Sequence, residues 1–115
     1  MYDKKNIFGK IIRGEIPANK VYEDDEVIAI NDLYPAAPVH ILVIPKGEYI
    51  DFHDFMFKAS ANQVNHYFRK IAEIASFATS DGYRLVTNLG KTSGQTIFHF
   101  HTHIISGKEF KNIAG

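Results

Sequence analysis

The chain has 115 residues, 45% hydrophobic and 23% charged, which is typical of one globular domain, here residues 1–115. Lys+Arg and Asp+Glu both number 13, so no basic excess indicates binding to nucleic acid or to a membrane surface. The lack of cysteine excludes disulfides, thiol catalysis and thiolate metal sites. No apolar stretch approaches the ~20 residues that span a bilayer, and no signal peptide is recognisable, so we expect a cytoplasmic protein.

The first half of the chain predicts one short helix and three strands. The helix has apolar residues at helical spacing, namely Ile7, Phe8, Ile11 and Ile12. Residues 21–23 and 27–31 flank an acidic turn and predict a β-hairpin. A loop with two prolines follows at residues 33–38, and residues 41–44 form a continuous apolar strand.

The second half predicts one long helix and two strands. The helix covers about residues 60–78, with an apolar stripe formed by Val64, Tyr67, Phe68, Ile71, Ile74, Ala75 and Ala78. Strands are predicted at residues 83–88 and 98–106, with a glycine-bearing loop between them. Because only one long helix is available as a crossover, we expect an α+β fold. Its sheet is antiparallel with about five strands, with one long and one short helix packed against one face.

Three histidines alternate near the C-terminus: His99, His101 and His103. Their spacing of two is the strand period, so we expect all three imidazoles on one face of the strand at residues 98–106. The other face is mostly apolar and should pack on the core, so the histidine face should open to solvent or to a cleft. A neutral imidazole is a nucleophile, and a protonated neighbour binds an anion or protonates a leaving group.

Two other interpretations of this run stay open. The histidines are otherwise polar residues on a solvated strand face, or ligands of a metal such as zinc. A straight strand separates the outer two histidines by ~13 Å, which makes shared chelation poor, so metal binding is the second choice.

Other polar and glycine residues are candidates for the same site. Gly94, with Gly90, permits backbone N–H groups to converge on an oxyanion, and the Thr96 hydroxyl suits a phosphate. Asp32 has the chemistry to accept from two ribose hydroxyls. Each of these residues also has an ordinary structural interpretation as a turn or strand-end residue, as do His40 and Asn88.

The chain resembles the histidine-triad (HIT) family of nucleotide-binding proteins. The family motif, histidines alternating with apolar residues, stands here as His-Phe-His-Thr-His-Ile-Ile at residues 99–105. Residues 7–17, Ile-Phe-Gly-Lys-Ile-Ile-Arg-Gly-Glu-Ile-Pro, are similar to the opening of the Hint branch, the purine nucleoside phosphoramidases. Residues 21–25, 32–40 and 44–46 are similar as well, so the resemblance covers nearly the whole chain.

This resemblance implies a HIT fold whose sheet continues across a homodimer, with a nucleoside monophosphate site in each subunit and no cofactor or metal. By position, His101 is the nucleophile, His103 contacts the phosphate and assists the leaving group, and His99 and His40 orient the site. The resemblance assigns phosphate binding to Asn88, Gly94 and Thr96, and ribose binding to Asp32. It assigns the base pocket to Ile7, Phe8, Ile11, Ile30, Leu33 and Leu42.

The chain departs from the family pattern at several places. A Cys-x-x-Cys zinc motif of some relatives corresponds here to Asn6 and Gly9, so that zinc site is absent. Thr102 replaces an apolar residue on the buried side, where we expect a satisfied hydroxyl. Ile30 stands where relatives often have an aromatic residue. The chain also stops soon after Gly107, without the tail that shapes the substrate entrance in some relatives.

The resemblance implies a hydrolase that cleaves the P–N bond of purine nucleoside 5′-phosphoramidates or aminoacyl adenylates. It acts through a nucleotidyl-histidine and releases AMP or GMP. Three alternatives stay open: a dinucleoside polyphosphate hydrolase, a non-enzymatic nucleotide-binding sensor or scaffold dimer, and a metal-binding protein.

Overall fold

A computed structural model describes residues 1–111 and 113–114. Three helices and five strands form the fold of these described residues. In chain order they are α1 (Ile7–Ile12), β1 (Lys20–Glu23), β2 (Val27–Asn31), β3 (Val39–Pro45), α2 (Phe52–Lys58), α3 (Ala61–Ala78), β4 (Tyr83–Val86) and β5 (Thr102–Ser106). A single 3₁₀ turn, Lys91–Ser93, lies in the loop before β5.

The five strands form one sheet in the order β1-β2-β3-β5-β4, and every neighbouring pair is antiparallel. β1, β2 and β3 follow one another directly. The chain then passes through α2 and α3 to the far edge, and β5 returns between β3 and β4. The register sets His40 opposite Ile105 and Leu42 opposite His103. The α+β fold with a five-stranded antiparallel sheet is therefore confirmed.

The two faces of the sheet bury separate apolar clusters, so the prediction of helices against one face is wrong. The larger packs against α2 and α3 and includes Phe55, Tyr67, Ile71, Ile74, Phe100 and Ile104. The smaller packs against α1 and consists of Phe8, Ile11, Ile28, Ile30, Leu42 and Ile44. Side chains alternate across a strand, so residues of even number on β3 face α1 and those of odd number face α3. The histidine cluster lies on the α1 side.

The prediction of one long and one short helix missed α2. Asp51 is the N-cap of this helix, and its side chain accepts the N–H of Asp54 at 2.9 Å. Phe55 is the residue that the helix buries. An N-cap residue ahead of an apolar residue is a helix signal that the sequence contains. The long helix begins one residue after its predicted start. Ser60 there caps it, exchanging side-chain and backbone bonds with Gln63.

The strand predicted at residues 98–106 is wrong in its first four residues. β5 begins at Thr102, and only His103 of the three histidines lies on it. Pairing with β3 stops at Val43, opposite Thr102, and the N–H of Phe100 donates outside the sheet to the Tyr49 carbonyl at 2.7 Å. The strand predicted at 83–88 likewise ends at Val86, so Asn88 lies in a loop.

The expected hydroxyl partner of Thr102 is confirmed on the α3 side. The Tyr67 hydroxyl lies 2.8 Å from the Val43 carbonyl oxygen and 2.8 Å from the Thr102 hydroxyl. Tyr67 has a single hydroxyl proton and donates it to the Val43 carbonyl, which can only accept. The Thr102 hydroxyl therefore donates to the Tyr67 oxygen. Both side chains are buried, and burial raises the pKa of Tyr67.

Among the described helices, none combines the length and the apolar composition that a membrane crossing requires.

Candidate active site

A cavity of about 310 Å³ opens on the α1 side of the sheet. Twelve of the fourteen residues predicted for the site line it: His101, His103, Asn88, Gly94, Thr96, Asp32, Ile7, Phe8, Ile11, Ile30, Leu33 and Leu42. The other two, His40 and His99, lie behind it and hydrogen-bond to groups at its floor. The structure therefore gathers all the predicted residues in one region, although they are spread along the chain.

The apolar wall of the cavity comes from three elements. Phe8 and Ile11 project from α1, Ile30 from β2 and Leu42 from β3, and all four are buried in the smaller cluster. Leu33 differs, because its side chain is 81% exposed. It lies at the mouth of the cavity. Ile7, also exposed, shares that position.

His101 is held in one tautomer at the cavity floor. Its Nδ1 lies 2.7 Å from the carbonyl oxygen of His99. A carbonyl only accepts, so Nδ1 carries the proton and Nε2 keeps a free lone pair. The Thr87 hydroxyl donates to the His101 carbonyl at 2.8 Å, and the Phe8 ring packs edge-on at 4.9 Å. Burial lowers the pKa of His101, so the imidazole is neutral at pH 7.

His40 and His103 form a directed pair. The N–H of Ala36 donates to Nδ1 of His40 at 2.9 Å, so neutral His40 carries its proton on Nε2. That proton points along the 2.8 Å contact to Nδ1 of His103. His103 therefore accepts on Nδ1 and presents an Nε2–H donor, 5.1 Å ring to ring from His101. Burial lowers the pKa of His103 to about 4, with help from the neighbouring imidazoles.

His99 does not open to the cavity, which corrects the expectation of a single accessible histidine face. Its side chain is 0% exposed. Nε2–H donates to the Pro45 carbonyl at 2.7 Å, and Nδ1 accepts from the Tyr2 hydroxyl at 2.6 Å. Burial lowers the pKa of His99 to about 4, so the ring is neutral. Its contact with the reacting region is the backbone carbonyl that binds His101.

The chemistry of the donor set does not favour a metal ion. Asp32, His40 and His103 offer three ligand atoms within 4.8 Å of one another. However, a metal requires a lone pair on each imidazole, and His40 commits its Nδ1 lone pair to Ala36 while Nε2 holds a proton. Both ring nitrogens of His99 are also bonded to protein groups. The arrangement fits a hydrogen-bonded relay better than a coordination sphere.

Asp32 sits at the cavity edge with both carboxylate oxygens in use. Oδ1 accepts from the N–H of Tyr34 at 2.8 Å, and Oδ2 lies 3.4 Å from Nε2 of His40. Each carboxylate oxygen has a second lone pair, so Asp32 keeps capacity for ligand hydroxyls. The same carboxylate also favours the tautomer of His40 that carries its proton on Nε2.

The glycine-bearing loop is held by one buried amide that the sequence analysis missed. Oε1 of Gln95 accepts from the N–H of Gly90 at 2.9 Å, and Nε2 donates to the Ile50 carbonyl at 2.9 Å. Gly94 has φ 101°, a conformation that side-chain-bearing residues rarely adopt. Its N–H donates to the Lys91 carbonyl, so Gly94 contributes the turn rather than a free donor. The exposed Thr96 hydroxyl follows directly.

Sequence reasoning also missed Tyr2 and Thr87. The Tyr2 hydroxyl donates to the His99 ring, and the Thr87 hydroxyl donates to the His101 carbonyl. Neither lies near the histidines in sequence, and neither belongs to a motif. Gln95 had a local signal, since a polar residue follows the glycine turn directly before the histidine run. The pairing of His40 with His103 had none, because 63 residues separate them.

A neutral imidazole with a free nitrogen, a second imidazole that donates, and an apolar cavity beside them suit nucleophilic attack on a small anionic substrate. The chain matches the HIT domain family over residues 13–110. It is 58% identical over 111 residues to an uncharacterized HIT-like protein of Rickettsia prowazekii, covering 95% of this chain and 92% of that one.

Solved structures agree with this match. A histidine triad protein from Clostridium difficile superposes with a TM-score of 0.84 at 42% identity, covering 99% of this chain and 100% of that one. A HIT family hydrolase from Clostridium thermocellum gives 0.86 at 36% identity, covering 97% and 99%. The chain belongs to the HIT domain family, and its named structural neighbours support a hydrolase in general.

Proposed function

We propose that the protein is a nucleotide-binding hydrolase that cleaves the P–N bond of purine nucleoside 5′-phosphoramidates or aminoacyl adenylates. The single observation that carries the proposal is the tautomer of His101. Its Nδ1–H is committed to the His99 carbonyl, so the free nitrogen, Nε2, is the nucleophile, in a residue that lines the cavity. Covalent catalysis by imidazole replaces one difficult displacement with two easier ones.

In the first step, Nε2 of His101 attacks the α-phosphorus and the bond to nitrogen breaks. The departing nitrogen takes its proton from solvent and leaves as the neutral amine, while the Nε2–H of His103 hydrogen-bonds to the phosphate beside it. His40 holds His103 in this orientation by donating its Nε2–H to Nδ1 of His103 at 2.8 Å. In the second step, water attacks the nucleotidyl-histidine, the bond from phosphorus to His101 breaks, a proton passes to solvent, and AMP or GMP is released.

The rest of the cavity supplies binding. Thr96 and Asn88 are the polar side chains beside the histidines that suit the phosphate oxygens, with the Gly94 turn shaping the loop. Asp32 suits the ribose hydroxyls. The aliphatic and aromatic wall described above suits the base, because apolar burial needs no specific hydrogen bond there.

We also propose that the protein works as a homodimer in which two sheets join through β4. β4 is an edge strand, and edge strands present unpaired backbone groups. Tyr83 and Leu85 on this strand are exposed apolar residues, which suits a covered edge. Sedimentation equilibrium at micromolar concentration is expected to give twice the chain mass, and a monomer would contradict this part of the proposal.

The test is amine release from adenosine 5′-phosphoramidate, with a metal chelator present, by wild type, His101→Ala and His53→Ala. His53 is an exposed histidine on α2 and serves as the matched control. We expect hydrolysis by wild type and His53→Ala, loss of more than about 100-fold in His101→Ala, and acid-labile nucleotide on the protein after rapid quenching. Full activity in a folded His101→Ala protein would refute the nucleophile.

AMP binding by a folded wild type without any turnover would instead favour the sensor or scaffold. Cleavage of dinucleoside polyphosphates without phosphoramidate cleavage would favour that hydrolase. Both outcomes are read from the same preparations.

A further inference from the structure

Tyr2 lies against the triad although it is far from it in sequence. Its hydroxyl is 2.6 Å from Nδ1 of His99, a contact across 97 positions of the chain. The two rings also meet edge to face, with centroids 5.5 Å apart. The N-terminal segment is therefore attached to the residue whose carbonyl holds the nucleophile.

The direction of this bond is fixed by the other side of the imidazole. Nε2 of His99 contacts the Pro45 carbonyl at 2.7 Å, and a carbonyl can only accept, so Nε2 carries the proton. Nδ1 of a neutral ring is then an acceptor, and Tyr2 must donate to it. With the ring fully buried, no solvent molecule is at hand to take the place of the phenol.

A continuous chain of bonds thus runs from Tyr2 to the nucleophile. The Pro45 carbonyl sets the tautomer of His99, and Tyr2 holds that ring in its orientation from the other side. The peptide of His99 then places its carbonyl 2.7 Å from Nδ1 of His101. A ring of His99 that flipped or changed tautomer would lose the Pro45 contact and shift that peptide.

Gly9 provides an independent observation. An added Cβ at this helical position would lie 3.1 Å from the Tyr2 hydroxyl oxygen and 3.1 Å from an Arg13 guanidinium nitrogen. Its backbone is ordinary α-helix, so no conformational reason requires glycine there. The lack of a side chain leaves the space in which the Tyr2 hydroxyl reaches His99.

We propose that Tyr2 is a positioning residue for the reaction, acting through His99 to hold His101 with its free nitrogen toward the substrate. The proposal rests on the proposed function for its catalytic readout, since His101 is the nucleophile there. It assigns Tyr2 no contact with the substrate. Loss of its hydroxyl should therefore affect turnover and leave ligand affinity unchanged.

The experiment compares wild type with Tyr2→Phe and with Gly9→Ala. Tyr22→Phe is the control for Tyr2→Phe, because its hydroxyl also donates to one partner, Asp24 at 2.6 Å, away from the cavity. Gly82→Ala is the control for Gly9→Ala, since its Cβ would meet open space. Each protein is assayed for phosphoramidate kcat and KM, for AMP affinity, and for histidine tautomers by ¹⁵N NMR.

We expect kcat of Tyr2→Phe to fall by about 10- to 100-fold, the scale for a misplaced reacting group, with KM and AMP affinity within about twofold. The Nδ1 resonance of His99 should shift, because this nitrogen loses the hydrogen bond from Tyr2, and both controls should match wild type. Gly9→Ala should lower kcat in the same direction. Alanine favours helix over glycine by about 1 kcal/mol, which offsets part of the lost hydrogen bond at His99. The kcat is therefore measured well below the unfolding temperature of each variant, which separates positioning from simple destabilisation.

An unchanged kcat and an unchanged His99 signature in Tyr2→Phe would overturn the inference. A fall in kcat that follows a fall in AMP affinity would also overturn it, because it would mean a general disturbance of the site. Failure of the proposed function shows differently, as an inactive wild type. The His99 and His101 tautomers then decide whether Tyr2 positions the histidines.

Discussion

Lowering the pH should destabilise the protein through His99, and the size of the effect can be worked out. Burial lowers the pKa of His99 from its ordinary 6.5 to about 4. The folded-state pKa is below the unfolded one, so the stabilising contribution is present above pH 6.5 and is lost as the pH falls toward 4. Between about pH 8 and about pH 5, the unfolded chain takes up this proton and the folded chain does not. The free energy of unfolding therefore falls by about 2 kcal/mol over this interval.

The assay is urea unfolding at one protein concentration, at about pH 8 and about pH 5, on wild type and His99→Gln. Burial also lowers the pKa values of His101 and His103. The free energy of unfolding of the wild type should therefore fall by more than the contribution of His99 alone. The difference between the two proteins isolates His99, because glutamine does not titrate. We expect His99→Gln to lose about 2 kcal/mol less than wild type over this interval.

His53→Gln is the control for the substitution itself, since this histidine is exposed on α2 and does not line the cavity. The urea slopes must agree between pH values for the free energies to be compared. Equal losses of unfolding free energy in wild type and His99→Gln would refute this explanation. They would mean that the buried ring takes up its proton in the folded chain as easily as in the unfolded one.

Two further substitutions test the site and the fold separately. Asp32→Asn is expected to weaken AMP binding about 10-fold, equivalent to ~1.4 kcal/mol, and to leave the binding of a 2′,3′-dideoxy analogue unchanged; calorimetry measures both, and equal losses would contradict a ribose contact. Thr102→Val should remove a buried hydrogen bond with Tyr67 and lower the free energy of unfolding by about 1 kcal/mol without changing kcat. Urea unfolding with the phosphoramidate assay checks this, and a lower kcat at unchanged stability would contradict it.

The sequence predicted the sheet and most of the site because the relevant signals were local. Continuous apolar runs marked β2 and β3, alternation marked β5, and the motif carried the histidines. The period of two predicted a shared face for the three histidines, but only His103 lies on β5. The start of β5 could not be predicted this way, since it depends on where pairing with β3 stops, at Val43 opposite Thr102.

The hydrogen bonds that give the histidines their chemistry were beyond sequence reasoning for the same reason. Which nitrogen of His101 or His103 is free depends on a carbonyl, a backbone N–H and a phenol brought from distant parts of the chain. Residue types at fixed spacing indicate that imidazoles are close together. They do not indicate how protons are distributed among them.

The central position of β3 and β5 has a consequence for folding. β1, β2 and β3 form a meander whose pairings are local, whereas β3 and β5 pair across the connection that contains α2 and α3. His40 and His103 come from these two strands, so their contact exists only where this long-range pairing is formed. A ligand of the histidine cluster therefore stabilises the folded chain over the unfolded one, and each tenfold excess over its dissociation constant adds about 1.4 kcal/mol against unfolding.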